Sequence, residues 1–250
     1  SRVAGHGPGK VAAMAAVILQ ATGLAKAFGG LRAVDGVDLD LQDGEIHALI
    51  GPNGAGKTTF VSLLSGRIGP DAGNIHLAGQ DITALPAHAR VKAGIAYTFQ
   101  ITSIYPRLSV FDNVALAVRG GDLAASVMAA LRRVGLAERA DQVAGNLSYG
   151  HQRLLEVAMG LALSPRVLIL DEPTQGLAAG EIAGFVALIR SLVPQTTVLL
   201  IEHNMEVVMG LADRITVLNF GQVLASGTPA EIRGNSAVQA AYLGDDDASA

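Results

Sequence analysis

Val37, Leu39 and Leu41 alternate with Asp38, Asp40 and Gln42, and this period of two predicts a strand with one buried face. A strand over residues 17–24 precedes it. Asp43-Gly44 is a turn signal, and Glu45-Ile-His-Ala-Leu-Ile50 follows as a third strand, so the chain is expected to open as an antiparallel layer. A helix is predicted from Lys57 toward Ser65. Pro70-Asp-Ala-Gly73 then breaks the chain before another strand over 74–78. Residues from about 108 to 160 read as mainly helical, with Ser109-Val-Phe-Asp112 resembling a capping box. Beyond them strand and helix alternate: strands at 167–170, 197–201 and 214–218, helices at 181–192 and 205–211. Near-continuous apolar runs such as Val167-Leu-Ile-Leu170 and Val198-Leu-Leu-Ile201 suit a parallel sheet covered on both faces. The pattern therefore predicts an α/β core, an N-terminal antiparallel layer and an inserted helical lobe.

Composition narrows this picture without changing it. With 250 residues, half of them apolar and 16% charged, the chain can bury a large core, and disorder is excluded for its bulk. A net charge of −4 argues against a nucleic-acid partner, which usually meets a basic excess. The absence of cysteine removes disulfides and thiolate metal sites. The apolar run over 12–19 falls short of the roughly 20 residues that a membrane span requires. Residues 1–13 are expected to be a disordered leader ahead of Met14, and 245–250 an acidic, solvated tail.

Gly51-Pro-Asn-Gly-Ala-Gly56-Lys57-Thr58 fits G-x-x-x-x-G-K-[ST], placed after an apolar strand and before a helix. Glycines there let backbone N–H groups turn inward around a phosphate, and the helix N-terminus adds its dipole. Lys57 is expected on the β/γ-phosphates and the Thr58 hydroxyl on Mg²⁺. Gly51, Asn53, Gly54, Ala55, Gly56 and Thr59 complete the candidate nucleotide-binding set. An accidental match in a glycine-rich turn has a frequency on the order of one per cent for a chain this long.

Val167-Leu-Ile-Leu-Asp171-Glu172 is a buried strand ending in two acids. Asp171 is placed to meet the Mg²⁺ of a phosphate loop, and an additional carboxylate, Glu172, is suited to polarise a water, which favours hydrolysis. None of the four lysines follows an asparagine, so the N-K-x-D guanine motif is missing and ATP is the expected nucleotide.

In this order the motifs resemble the ATP-binding cassette (ABC) ATPases over roughly residues 17–243. The resemblance implies a P-loop NTPase with a RecA-like core, here a single domain over 14–244 with a helical subdomain at about 101–160. It places Phe28 on the adenine and Gln100, ending Ile95-Ala-Tyr-Thr-Phe-Gln100, at the Mg²⁺ and at the coupling to a membrane partner. His203 takes the position of the switch histidine on the γ-phosphate. Leu147-Ser-Tyr-Gly-His151 aligns with the family signature L-S-G-G-Q, departing from it at Tyr149 and His151. Ser148 can offer its hydroxyl and Gly150 close backbone approach at a helix N-terminus, an anion grip. In the family that grip closes on the ATP of the opposite subunit. The plainer reading is that Ser148 caps its own helix, and both can be true, because the free N–H groups of that helix end are what a phosphate would meet. A further departure is Ala178, where the family often has an aspartate that communicates across the dimer.

Phe28-Gly-Gly-Leu-Arg-Ala-Val, the LSYGHQ variant and Ile201-Glu-His-Asn-Met-Glu resemble the ATPase subunits of branched-chain amino acid importers. Other segments, such as Leu85-Pro-Ala-His-Ala-Arg90, look similar to the lipopolysaccharide-export ATPase. The resemblance implies permease subunits and a second ATPase subunit, identical or paralogous, as partners on the cytoplasmic face of the membrane. An extracytoplasmic substrate-binding protein would complete the complex. A soluble ABC protein acting on nucleic acid or ribosomes usually carries two cassettes or a long coiled-coil insertion, and neither is present in these 250 residues. A nucleotide-binding regulator that does not hydrolyse is disfavoured by Glu172.

Overall fold

The structure, a computed structural model, describes residues 16–98 and 104–246, the side chains of 243–246 excepted. Two sheets form the scaffold. The first has the order β2-β1-β4-β5, built from β1 (Val17–Phe28), β2 (Leu31–Gln42), β4 (Ala72–Leu77) and β5 (Gln80–Asp81), all pairs antiparallel. In β1 the buried positions are Leu19, Ala21 and Leu24, a step of two followed by a step of three. A register shift against β2 between Ala21 and Leu24 causes the change, because a bulge returns the next apolar side chain to the core face.

The second sheet has the order β10-β9-β3-β8-β7-β6. Its strands are β3 (Ile46–Ile50), β6 (Ile95–Thr98), β7 (Val167–Asp171), β8 (Thr197–Ile201), β9 (Arg214–Asn219) and β10 (Gln222–Gly227). All pairs are parallel except the β9–β10 hairpin at the edge. Every residue of β3, β7 and β8 is buried, which accounts for their unbroken apolar runs.

Here the expected antiparallel opening needs correction. Asp43-Gly44 does not fold β3 back onto β2; it carries the chain from one sheet to the other. β3 pairs in parallel with β8 (Ile46 opposite Val198) and β9 (His47 opposite Arg214). Side chains across the core fix the crossing: Gly44 N donates to Thr197 Oγ1 at 2.9 Å and Ile46 N to Asp213 Oδ2 at 2.8 Å. A strand buried on both faces cannot lie in the half-exposed layer, whatever its preceding turn suggests.

Between the sheets runs α1 (Lys57–Leu64). Its C-terminal carbonyls are closed by a side chain from α2 (Ala87–Ala93): buried Arg90 donates to Leu63 O at 2.6 Å and Leu64 O at 2.9 Å, and also to Thr83 O at 2.8 Å and Leu85 O at 2.9 Å in the segment before α2. A guanidinium at a helix C-terminus satisfies orphan acceptors and opposes the dipole.

The helical lobe comprises α3 (Val110–Ala115), α4 (Leu123–Arg133) and α5 (Tyr149–Ala162). Ser109 and Asp122 cap the first two through Asp112 N and Ala125 N. Leu155, Val157, Ala158 and Leu161 of α5 join one hydrophobic cluster with strand residues Leu168 and Leu170 and with Phe185 and Ile189 of α6 (Ala179–Leu192). The lobe is thus packed into the core. Three further helices follow: α7 (Met205–Leu211), α8 (Pro229–Arg233) and α9 (Ser236–Asp246). α9 includes Asp245 and Asp246, which were expected in a solvated tail. Residues 1–13 and 247–250 lie outside the described residues. Among the described residues no helix is long and apolar enough to cross a membrane.

Candidate functional site

The phosphate-loop stretch sits between β3 and α1, as its sequence context requires. Gly51 and Gly56 are forced by backbone neighbours on opposite sides. A Cβ on Gly51 would fall 2.2 Å from Leu218 O of β9, and one on Gly56 2.2 Å from Ala33 O of β2. The loop is clamped between the two sheets. Gly56, at φ 97°, is the N-cap of α1 and contributes no side-chain cap, so it leaves the first-turn amides to a ligand. Lys57 reaches back under the loop, donating from Nζ to Gly51 O at 2.6 Å and Pro52 O at 2.9 Å.

Residues 53–59 line one side of a cavity of about 640 Å³. Glu172 and His203 enter it from the ends of β7 and β8, and Leu31, Arg32, Ala33 and Phe220 form the remaining wall. The fold therefore brings together Asn53, Gly54, Ala55, Gly56, Lys57, Thr58, Thr59, Glu172 and His203. Phe28 is not in that wall; it pairs with Leu31 across the β1–β2 hairpin, is 48% exposed, and has Lys26 Nζ 5.7 Å from its ring centroid. Gln100 lies outside the described residues.

Phe220 and Leu31 are the apolar residues that sequence reasoning missed. They are 86% and 71% exposed, and Phe220 has a left-handed φ of 46° in the tight turn between β9 and β10. The turn is fixed to the loop, since Gly221 N donates to Ala55 O at 3.0 Å and Gly221 O accepts from Asp35 N at 2.8 Å. A bulky residue with positive φ is an outlier that its surroundings must impose. The signal available in the sequence was Asn219-Phe-Gly-Gln222, a hairpin turn with an aromatic where a polar residue is usual.

At the end of β7, Asp171 is buried and accepts a 2.6 Å hydrogen bond at Oδ2 from the Tyr97 hydroxyl. Burial pushes the Asp171 carboxyl above its ordinary value, with Glu172 next to it adding to the rise and the Tyr97 hydrogen bond opposing it. The Tyr97 phenol is raised as well, by its own burial and then by Asp171. Asp171 does not line the cavity that Thr58 lines; its carboxylate and the Thr58 hydroxyl are oxygen donors of the kind a hard divalent cation takes.

Glu172 adopts φ 48°, held by its N–H donating to Ile201 O at 2.8 Å. In this posture its Oε1 lies 2.7 Å from His203 Nε2. Buried Glu202 fixes the histidine's backbone: Oε2 accepts from His203 N at 2.9 Å, while Oε1 accepts from Thr174 N at 3.3 Å and from the Thr174 hydroxyl.

The signature stretch lies apart from this cavity. Ser148 is the N-cap of α5: its Oγ accepts from His151 N at 3.3 Å and stands 2.9 Å from His151 Nδ1. The local capping alternative is therefore realised in the chain by itself. A Cβ on Gly150 would fall 2.3 Å from Glu181 Oε1, so the helix start meets α6 closely. Neither Ser148 nor Gly150 lines the cavity of its own chain.

Residues 34–175 match the ABC transporter family, and residues 222–248 match the family described as branched-chain amino acid ATP-binding cassette transporter. The chain is 40% identical to the high-affinity branched-chain amino acid transport ATP-binding protein BraF of Pseudomonas aeruginosa and 41% identical to LivG of Escherichia coli, of the same description. Each match covers 93% of this chain and 100% of the relative. The lipopolysaccharide export system ATP-binding protein LptB of Escherichia coli is 37% identical, over 91% of this chain and 98% of the relative. Among solved structures, the ADP conformation of MJ1267, an ATP-binding cassette of an ABC transporter, superposes with a TM-score of 0.86 at 26% identity, over 92% of this chain and 99% of that one. A clamped phosphate loop, paired acids at a strand end and a histidine facing them are thus set in a fold and a sequence that agree: the chain belongs to the ATP-binding cassette transporter ATPase family.

Proposed function

We propose that this chain is the ATP-hydrolysing, energy-coupling subunit of a membrane importer of branched-chain or related amino acids. The reading of the chemistry is carried by one observation, the Glu172–His203 pair at the rim of the phosphate-loop cavity. The reading of the cargo is supported by the match of residues 222–248 and by the described activity of the relatives.

In this reading the loop amides and Lys57 take the phosphates of ATP, and Lys57 exchanges its carbonyl partners for phosphate oxygens. Thr58, Asp171 and Gln100 are the groups that would hold Mg²⁺, which neutralises charge on the transferring phosphoryl group when bound. Glu172 orients and deprotonates the attacking water. His203, held by Glu202, contacts the γ-phosphate and keeps Glu172 in place. Leu31, Arg32 and Phe220, with Phe28 nearby, face the base and ribose. Ser148 and Gly150 close on the nucleotide of a second ATPase subunit, so two ATP molecules are sandwiched and binding stabilises the closed dimer. Permease subunits in the membrane and an extracytoplasmic substrate-binding protein complete the assembly, with this chain peripheral on the cytoplasmic side.

The test is uptake of labelled leucine by vesicles holding the chain with its co-purifying permease, in the wild type and with Glu172→Gln. ATP-dependent uptake abolished by the substitution supports the reading. Co-purification with a lipopolysaccharide-export permease, for which the LptB similarity gives a specific reason, would replace the cargo and leave the ATPase chemistry intact.

A further inference from the structure

The family's cross-dimer aspartate is replaced here by Ala178, and the signature carries Tyr149 in place of glycine. In the fold these two departures are neighbours. The Tyr149 hydroxyl donates to Gln175 O at 3.1 Å, in the loop between Glu172 and Ala178. Gly176 makes room for the ring, since a Cβ there would lie 2.9 Å from Tyr149 Cε1. On its other side the same hydroxyl accepts from Arg153 Nε at 3.1 Å, and the guanidinium stands 5.3 Å from the ring centroid. Arg153 is itself buried and paired with Glu156 at 2.9 Å, so the tyrosine is oriented from below by a fixed cation.

One residue earlier the loop is tied in the opposite direction. Thr174 is bound through both its N–H and its hydroxyl to Glu202, whose other oxygen holds His203 N. Hydrogen bonds, with the one peptide link from Thr174 to Gln175 between them, therefore join His203, Glu202, Thr174 and Gln175 to Tyr149, the first residue of α5. At one end are the groups facing this chain's own cavity; at the other are Ser148 and Gly150, which do not line it.

We infer that Tyr149 is a positioning residue, coupling the loop that follows Glu172 to the signature helix within the same chain. A ligand that moves Glu172 or His203 shifts Thr174 and Gln175 with them, and Tyr149 transmits the shift to Ser148. The inference rests on the proposed reading in which Ser148 meets the nucleotide of a second copy. It supplies by a within-chain bond the communication for which Ala178 has no carboxylate.

The test uses the full chain with Glu172→Gln, which halts turnover, and follows ATP-driven dimer formation by light scattering. Adding Tyr149→Phe keeps the ring and its stacked guanidinium but removes the hydroxyl donor. The expected result is dimerisation weakened about five- to tenfold, as for one lost hydrogen bond, with monomer ATP affinity unchanged and the thermal midpoint lowered only slightly. A merely structural role for Tyr149 would lower the midpoint without weakening dimerisation. Thr174→Val removes the hydroxyl tie to Glu202 and leaves only the longer backbone one in the same run, so the variant carrying both changes is expected to lose less than the sum of the single losses. Dimerisation undiminished by Tyr149→Phe, or losses that add, overturns the inference while leaving the dimer reading in place. Failure of Glu172→Gln alone to dimerise with ATP overturns both.

Discussion

Glu172 and His203 come from the ends of adjacent parallel strands, and their side chains meet with 2.7 Å between Oε1 and Nε2. The left-handed backbone of Glu172 turns its carboxylate across the strand end instead of along it. Substituting Glu172→Gln is expected to lower kcat about a thousandfold, within the range for losing a general base, while ATP still binds. Single-turnover hydrolysis with equilibrium binding measured alongside checks this; undiminished turnover would remove Glu172 from the base role. His203→Ala is expected to lower kcat as well, through loss of the partner that fixes Glu172.

Ser148→Arg is expected to block ATP-driven dimerisation and leave monomer nucleotide binding intact, because Ser148 lies outside its own chain's cavity. Sedimentation with and without ATP measures the first property, and fluorescent-nucleotide titration the second. Lost monomer binding would show that the signature acts in its own chain.

Phe220→Gly separates two effects of one residue. Glycine adopts a φ of 46° without strain, so stability is expected to hold or rise by about 1 kcal/mol. The cavity meanwhile loses its most exposed apolar wall, and nucleotide affinity is expected to fall several-fold. Parallel titration of Phe28→Ala shows which aromatic the base contacts; a loss confined to Phe28→Ala would place the base against β1.

Arg90→Met leaves four carbonyls without their shared donor, buried at Leu63 and Leu64 and part-buried at Thr83 and Leu85. The expected loss of stability is about 3 kcal/mol, read from the denaturant midpoint. Loss of under about 1 kcal/mol would mean that water replaces the guanidinium.

The Asp71 carboxyl is held below its ordinary value of 3.8, chiefly by the hydrogen bond from Lys26 and then by that from Ala27 N. A depressed carboxyl contributes stability above its unfolded pKa and loses it as pH falls through the folded one. Asp71→Asn is therefore expected to lower the thermal midpoint at pH 7, with the gap closing as pH falls below 3.8. A gap constant with pH would exclude the ion pair as its source.

The phosphate loop, the acidic end of β7 and the helices α6 and α7 were legible in the sequence because their signals are local. Spacing, strand context and periodicity all lie within a few residues. Helix α8 was equally legible but unread, since Thr228-Pro-Ala-Glu231 is a full capping box. The base side of the cavity was not legible. Asp35 and Gln222 bond at 3.0 Å across 187 positions of chain, and only that return brings Leu31 and Phe220 to one wall. The sheet of β3 was misjudged for a similar reason: its turn is local, whereas its burial on both faces is decided by β8 and β9. Tyr149 showed only an unusual residue type until its hydroxyl met a carbonyl 26 positions away.

The crossing at Gly44 has a practical corollary. Every phosphate and acid motif lies after it, so a fragment begun at Glu45 would keep the phosphate loop, the signature, the paired acids and the histidine. It would also lose Ala33, the Leu31 wall and half of the clamp on the phosphate loop. Such a fragment would pass inspection by motif and fail as a binding protein, since the cleft is a seam between two sheets rather than a property of either one.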